Sequence, residues 1–274
     1  MTDLRVALCQ YALGSADSVD GVCETAAALF DDAGDADVYV LPELLLADAV
    51  GEPGEADDVR GHCLAPAERD ASHAFVRAEA EARDAVVVGG SYNALDGDDA
   101  YNRMPIATPD SLVTYDKRHP TPEERSAGKC LGPADPPVVD HRGVAVGVLN
   151  CYDVEFPELA RAVADAGAEV VAVPSWTASE AGVARIERCA AARAVENQQY
   201  VASVPLVGET DGTEGRGRAT VFRPCDDVCG PHGTGLTLPR DTHAAAATTL
   251  DVAALRESRE RASVRPYADA RAGN

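Results

Sequence analysis

The sequence predicts an α/β fold, and three observations carry that reading. Short, continuously apolar, β-rich runs alternate with Ala-rich amphipathic stretches. The apolar runs have the length and continuity of strands buried on both faces. No Pro/Gly-rich linker breaks the alternation, so residues 1–274 read as a single domain. A chain of this length can bury most of its apolar surface without disulfide or metal staples.

The elements follow in order. Strands are expected at 4–10, 38–41, 85–92, 104–108 and 112–115, with helices at 19–32 and 67–83 between the early ones. A second set of strands is expected at 144–150, 169–174, 200–207, 219–223 and 245–250. Helices at 156–167 and 180–196 separate the first of these, and a short helix closes the set near 252–261. Pro157 and Glu158 suit the first turn of their helix, where a missing N–H costs nothing and a carboxylate meets the positive end of the dipole. Segments 48–61 and 209–217, rich in Gly and acid, read as surface loops. The first follows Glu43 and is a candidate for a pocket wall or for a solvated loop.

Charge excludes several classes. The formal net charge is −22, from 46 acidic against 24 basic residues. Only Lys117 and Lys129 are lysines; the other 22 basic residues are arginines. An acidic, lysine-poor surface stays hydrated in concentrated salt, where repulsion is screened over a few ångströms. The acids are spread along the whole chain, which favours a halophilic adaptation over an acidic partner-binding surface. Nucleic acid is not an expected partner, because phosphate contacts need basic patches. Nor is a membrane, because no apolar run reaches spanning length. Eight cysteines do not imply disulfides here, since MTDLRVALCQ reads as a strand and not as a secretory leader. The expectation is a cytoplasmic protein with reduced thiols.

The most informative segment is 143–161, GVAVGVLNCYDVEFPELAR. An apolar strand runs into Asn150-Cys151-Tyr152-Asp153, and a helix opens shortly after. A Cys on such a turn is exposed at a sheet edge, where backbone N–H groups and a helix dipole favour its thiolate. Taken alone, a Cys after a strand is more often a buried structural thiol.

Further motifs decide between the two. Residues 38–46 read VYVLPELLL and supply Glu43; residues 115–119 read YDKRH and supply Lys117. Pro174-Ser175-Trp176 follows the next strand, and Arg193-Ala-Val-Glu196-Asn197 precedes Tyr200-Val201. Together with Cys-Tyr-Asp-x-x-Phe-Pro-Glu at 151–158, this set resembles the nitrilase (carbon–nitrogen hydrolase) superfamily over residues 4–250. The resemblance implies a four-layer α-β-β-α sandwich of the nitrilase type, packed as a homodimer or higher homo-oligomer. It implies hydrolysis of a small amide or carbamoyl amine by Glu43, Lys117 and Cys151 through a thioester.

In the implied chemistry, Cys151 attacks, Glu43 exchanges protons, and Lys117 with the backbone N–H of Tyr152 stabilises the oxyanion. Lys117 also stands out by composition: its compact ammonium survives in a chain that otherwise uses Arg, whose planar guanidinium does not reproduce it. Lys129 has no such support and reads as a surface residue. A second acid after the lysine is implied; Glu124 is favoured, with Glu123 the fallback and a solvated loop acid the plain alternative. Tyr152, Glu155 and Trp176 are the implied substrate-binding residues. Family members often carry Arg where this chain has Glu155, so a neutral or cationic amide fits better than an anionic one if that position faces the pocket. Residues 219–223 lack the Ser and downstream Gly of the family pattern.

Cys-Tyr-Asp points to amidases, whereas nitrile-hydrolysing members usually show Cys-Trp-Glu. Nitrile hydrolysis by the same triad and a non-catalytic binding or assembly role are the alternatives. No metal or other cofactor is expected. Cys225-x₃-Cys229-x₂-His232 offers only three zinc ligands, and His119 reads as a positional partner in its loop.

Overall fold

The computed structural model describes residues 3–53, 58–210 and 212–272. The first half runs β1 (Asp3–Gln10), β2 (Ala12–Leu13), α1 (Val19–Ala33), β3 (Val38–Val40), α2 (Ala47–Val50), α3 (Pro66–Arg83) and β4 (Val86–Val88). β5 (Tyr92–Asp96), β6 (Asp99–Thr108), β7 (Ser111–Asp116) and the short α4 (Pro122–Ser126) complete it. The second half runs β8 (Val138–His141), β9 (Val144–Val148), α5 (Pro157–Asp165), β10 (Val170–Trp176), α6 (Glu180–Glu196) and β11 (Tyr200–Thr210). It ends with β12 (Thr213–Gly215), β13 (Thr220–Phe222), β14 (Thr234–Thr237), β15 (Ala244–Asp251), α7 (Val252–Arg261) and α8 (Pro266–Ala272).

Two sheets form. One has the order β15-β1-β3-β4-β6-β5, with β7 also on β6; the other has the order β14-β13-β11-β10-β9-β8, with β2 and β12 on β11. Period-two alternation decides what each strand face meets. On β1, Val6 and Leu8 point into the cluster between the sheets, facing Val146, Val148, Ala172 and Val204. Ala7 and Cys9 point the other way, to Val22, Leu29 and Phe30 of α1 and Val76 of α3. In the second sheet Val171, Val173 and Val201 pack outward on α5 and α6 through Leu159, Val163, Ile186 and Ala190. Each fully buried Val or Leu contributes roughly 1.5–3 kcal/mol. The three clusters between successive layers make this the expected four-layer α-β-β-α sandwich.

Three sequence expectations change. The strand expected at 85–92 is two strands, because the chain bends at Gly89-Gly90, where Gly90 adopts φ 72°. A Cβ on Gly90 would lie 2.6 Å from Pro42 O and 2.9 Å from Leu45 Cβ, so the bend gives the loop carrying Glu43 room to dock. β8 went unseen: it forms a hairpin with β9 whose two-residue turn, Arg142-Gly143, has positive φ at both positions. Segment 209–217 is largely strand, since β11 continues to Thr210 and β12 pairs back onto it. Residues 54–57 of the first acidic loop and residue 211 of the second lie outside the described residues.

Candidate active site

The parallel strands β3, β9 and β10 all end on one side of the sandwich, and their C-terminal ends supply the site, as is general for open α/β sheets. Glu43 follows β3 on a tight turn: Leu44 takes φ 50° and donates its N–H to Ser91 Oγ at 2.8 Å. Cys151 follows β9 with φ 52°, a conformation disfavoured for a side chain with a Cβ. It begins a 3₁₀ turn, Cys151–Glu155, whose carbonyls are held by the buried Arg193 of α6. Its Nε donates to Val154 O at 2.9 Å and its Nη2 to Glu155 O at 3.2 Å. Lys117 follows β7, where Gly132 N donates to Lys117 O at 2.9 Å; a Cβ on Gly132 would collide with Asp116 O.

These three side chains meet in the interior, each at most 5% exposed. Lys117 Nζ donates to Glu43 Oε1 at 2.7 Å and to Glu124 Oε2 at 2.7 Å. Asn102 Nδ2 bridges the same two acids, 2.9 Å from Glu43 Oε1 and 2.9 Å from Glu124 Oε1, while its Oδ1 accepts from Asn150 Nδ2 at 3.0 Å. The main chain of Trp176 binds both partners of the proton transfer that this geometry permits. Its N–H donates to Glu43 Oε2 at 3.0 Å, and its carbonyl accepts from Cys151 Sγ at 3.6 Å.

Asp153, fully buried, ties the Cys151 turn to the lysine segment. It accepts from Tyr115 OH at 2.8 Å, from the N–H groups of Arg118 at 3.3 Å and His119 at 2.8 Å, and contacts His119 Nδ1 at 3.1 Å. The His119 ring stacks on Phe156 at 3.7 Å.

The electrostatics follow from burial and pairing. Burial pushes the Glu43 carboxyl above the usual carboxylate range; Lys117 opposes the rise and Glu124 adds to it. Burial works against the charge on Lys117, but Glu124 and Glu43 outweigh it and hold the ammonium well above its ordinary range. Burial likewise opposes ionisation of Glu124, yet Lys117 and Lys129 keep it below the carboxylate range. The Cys151 thiol is raised well above 9.0, by burial first and by the facing Glu43 second. Cys151 is thus buried and not exposed at a sheet edge as the sequence led one to expect: its turn is 3₁₀, the α-helix begins only at Pro157, and burial works against the thiolate.

The family described as Carbon-nitrogen hydrolase matches residues 5–227. The chain belongs to it. Among carbon–nitrogen hydrolases, the (R)-stereoselective amidase of a Pseudomonas species is 35% identical over 211 residues, covering 76% of this chain and 73% of the relative. The probable hydrolase YhcX of Bacillus subtilis is 31% identical over 191 residues, covering 68% of this chain but only 37% of its own length. A variant of the amidase from Nesterenkonia sp. AN1, solved with the acetamide moiety of fluoroacetamide added covalently at the active-site cysteine, superposes with a TM-score of 0.73. It is 26% identical and covers 93% of each chain.

Within this carbon–nitrogen hydrolase, Glu43, Lys117, Cys151 and Glu124 converge, while Glu123 is exposed. Trp176 reaches the cluster through its main chain; its indole Nε1 donates to Glu214 O at 2.9 Å. The Tyr152 ring packs edge-on against Phe156 at 5.0 Å. Glu155 accepts from Arg185 Nε at 3.1 Å, so its charge is met by a neighbouring helix. Among the described residues no group of three His, Cys, Asp or Glu side chains could hold a metal ion, and no helix is long and apolar enough to cross a membrane.

Lys129 is not on the surface: it is 4% exposed and its Nζ lies 3.3 Å from both Glu124 Oε1 and Glu52 Oε2. The bridge between Ala100 and Lys129 carries its backbone inward along β6, which sequence spacing in a loop does not reveal. Asn102 was also missed. Its signal was parity: on β6 it shares the inward face with Ala100, Met104 and Ile106, a polar residue in an apolar register.

Proposed function

We propose that this protein hydrolyses the carbon–nitrogen bond of a small amide or carbamoyl amine through a thioester on Cys151. Cys151 Sγ attacks the carbonyl carbon while its proton passes to Glu43. The developing oxyanion is met by Lys117 Nζ and the backbone N–H of Tyr152, each such donor contributing on the order of 10²–10³ in rate. Collapse breaks the carbon–nitrogen bond, and Glu43 returns its proton to the departing ammonia or amine. Water then enters, Glu43 takes one of its protons, and the hydroxide attacks the thioester. The acid departs and the thiol regains its proton. Glu124 holds Lys117 in place throughout.

The observation that carries this reading is the shared carboxylate of Glu43. One oxygen is fixed by Lys117 and Asn102, the other by Trp176 N–H, whose own carbonyl accepts from the Cys151 thiol. A buried, proton-bearing thiol beside a buried carboxylate needs no preformed thiolate, because attack and proton transfer occur together.

The test is ammonia release from a panel of short aliphatic amides, carbamoyl amines and nitriles, assayed in molar KCl with purified protein. The expected result is turnover of amides or carbamoyl amines that disappears in Cys151→Ala. Turnover of nitriles alone overturns the amide assignment, and no turnover of any class overturns the enzymatic one.

A further inference from the structure

The two lysines of the chain end in one buried network. Beyond Glu124, Lys129 Nζ pairs with Glu52 Oε2 at 3.3 Å, and Glu52 Oε1 accepts from Asn93 Nδ2 at 2.5 Å. The series Glu43, Lys117, Glu124, Lys129, Glu52 is thus a line of alternating charges, with Lys117, Lys129 and Glu43 side chains each 2% exposed, Glu52 9% and Glu124 12%. A chain that uses arginine at 22 of its 24 basic positions places both lysines here. The spacing suits a compact ammonium between two carboxylates and not a wide guanidinium fork.

We propose that Lys129 and Glu52 are positioning residues that set the protonation balance of Glu43 and Cys151 through Glu124. This rests on the reading of those two as the reacting groups. Lys129 touches no reacting atom. It fixes one oxygen of Glu124 while Lys117 fixes the other, so Glu124 stays ionised and keeps Lys117 aimed at Glu43. Glu52 compensates the second ammonium, so that the ionised network carries one net negative charge, from three carboxylates and two ammonium groups. The other ionisable groups in the surroundings are few. Cys151 faces Glu43. Cys63, with Arg60 and Asp58, lies near Lys129 and Glu52.

Charge counting gives the sign of each change. In Lys129→Met the network gains a net negative charge, so the Glu43–Cys151 pair takes up its extra proton more readily. In Glu52→Gln an uncompensated ammonium has the opposite effect. The double variant restores the original net charge. At an effective dielectric of about 20, one charge at this range shifts a titration by about one pH unit.

The experiment follows alkylation of Cys151 by iodoacetamide against pH, read by peptide mass mapping, which needs no substrate. The acid limb should move up by about one pH unit in Lys129→Met, down in Glu52→Gln, and back to the wild-type position in the double variant. Shifts of the same sign in both single variants, or no shift in either, overturn the proposal. If Lys129→Met does not fold, the downward shift in Glu52→Gln decides alone. Glu43→Gln separates the two levels. If it leaves the Cys151 profile unchanged, the functional reading fails; if it changes the profile while the charge variants do not, only this proposal fails.

Discussion

Lys117 Nζ lies 2.7 Å from Glu43 Oε1 and 2.7 Å from Glu124 Oε2, so one buried ammonium is held between two carboxylates from different elements. Such a charge is tolerated only because its partners are fixed, and removing one partner strands the others. A planar guanidinium fork does not reproduce the position of that compact ammonium. Lys117→Arg should keep the charge and lose the geometry, lowering kcat/KM by on the order of 10²–10³. Steady-state kinetics on the best amide of the panel checks this; activity within tenfold of wild type contradicts it.

The pH profile follows from the buried Glu43–Cys151 pair. Burial raises the Glu43 carboxyl, and it must be unprotonated to accept the thiol proton. Activity should therefore fall as pH drops, with an apparent inflection above the ordinary glutamate value of about 4.3 that belongs to the pair. Because the thiol is held well above 9.0, it should add no inflection between neutrality and pH 9.0. The profile of kcat/KM from about pH 4 to 10 tests both statements, and an inflection near pH 4 or below contradicts the first.

Asp153 should matter for stability as well as for rate. It receives Tyr115 OH and the N–H groups of Arg118 and His119, pinning the lysine loop to the Cys151 turn. Asp153→Asn turns an acceptor-only group into one with an amide facing donors. The expected loss is roughly 1.5–3 kcal/mol, the worth of hydrogen bonds to a charged group. Urea unfolding at constant slope measures it; an unchanged midpoint contradicts this role for Asp153.

Salt should stabilise the fold. At a net charge of −22 the surface repels itself in dilute buffer, where the Debye length is about 30 Å at 0.01 M and about 3 Å at 1 M. Thermal midpoints should rise steeply up to about 1 M KCl and then flatten if screening dominates. A continued, anion-dependent rise in sulfate marks strengthened apolar burial instead. A midpoint flat from about 0.05 M to about 3 M KCl contradicts the halophilic reading and favours an acidic partner surface.

The strands that lead into Glu43 and Cys151 were legible as continuous apolar runs, and short motifs mark the turns after them. The burial of Cys151 was not legible, since it depends on how deeply a strand end is covered. Lys129 and Glu52 were invisible for a similar reason: both sit in connecting segments, where no periodicity tells which way a side chain turns. Glu52 lies in a stretch that reads equally as a pocket wall or a solvated loop, and its partner arrives from residue 129. Asn102 was recoverable in principle, because β6 alternates from Asp99 to Met104 and a buried amide on its inward face requires a partner.

The thioester on Cys151 is tested most directly by acyl transfer to hydroxylamine. A thioester partitions between water and hydroxylamine, so incubating the protein with an amide and hydroxylamine should yield the hydroxamate alongside the acid. The hydroxamate should form in wild type, scale with ammonia release, and be absent in Cys151→Ala. Hydroxamate formation that persists without Cys151, or ammonia release with no acyl transfer at any hydroxylamine concentration, contradicts the mechanism.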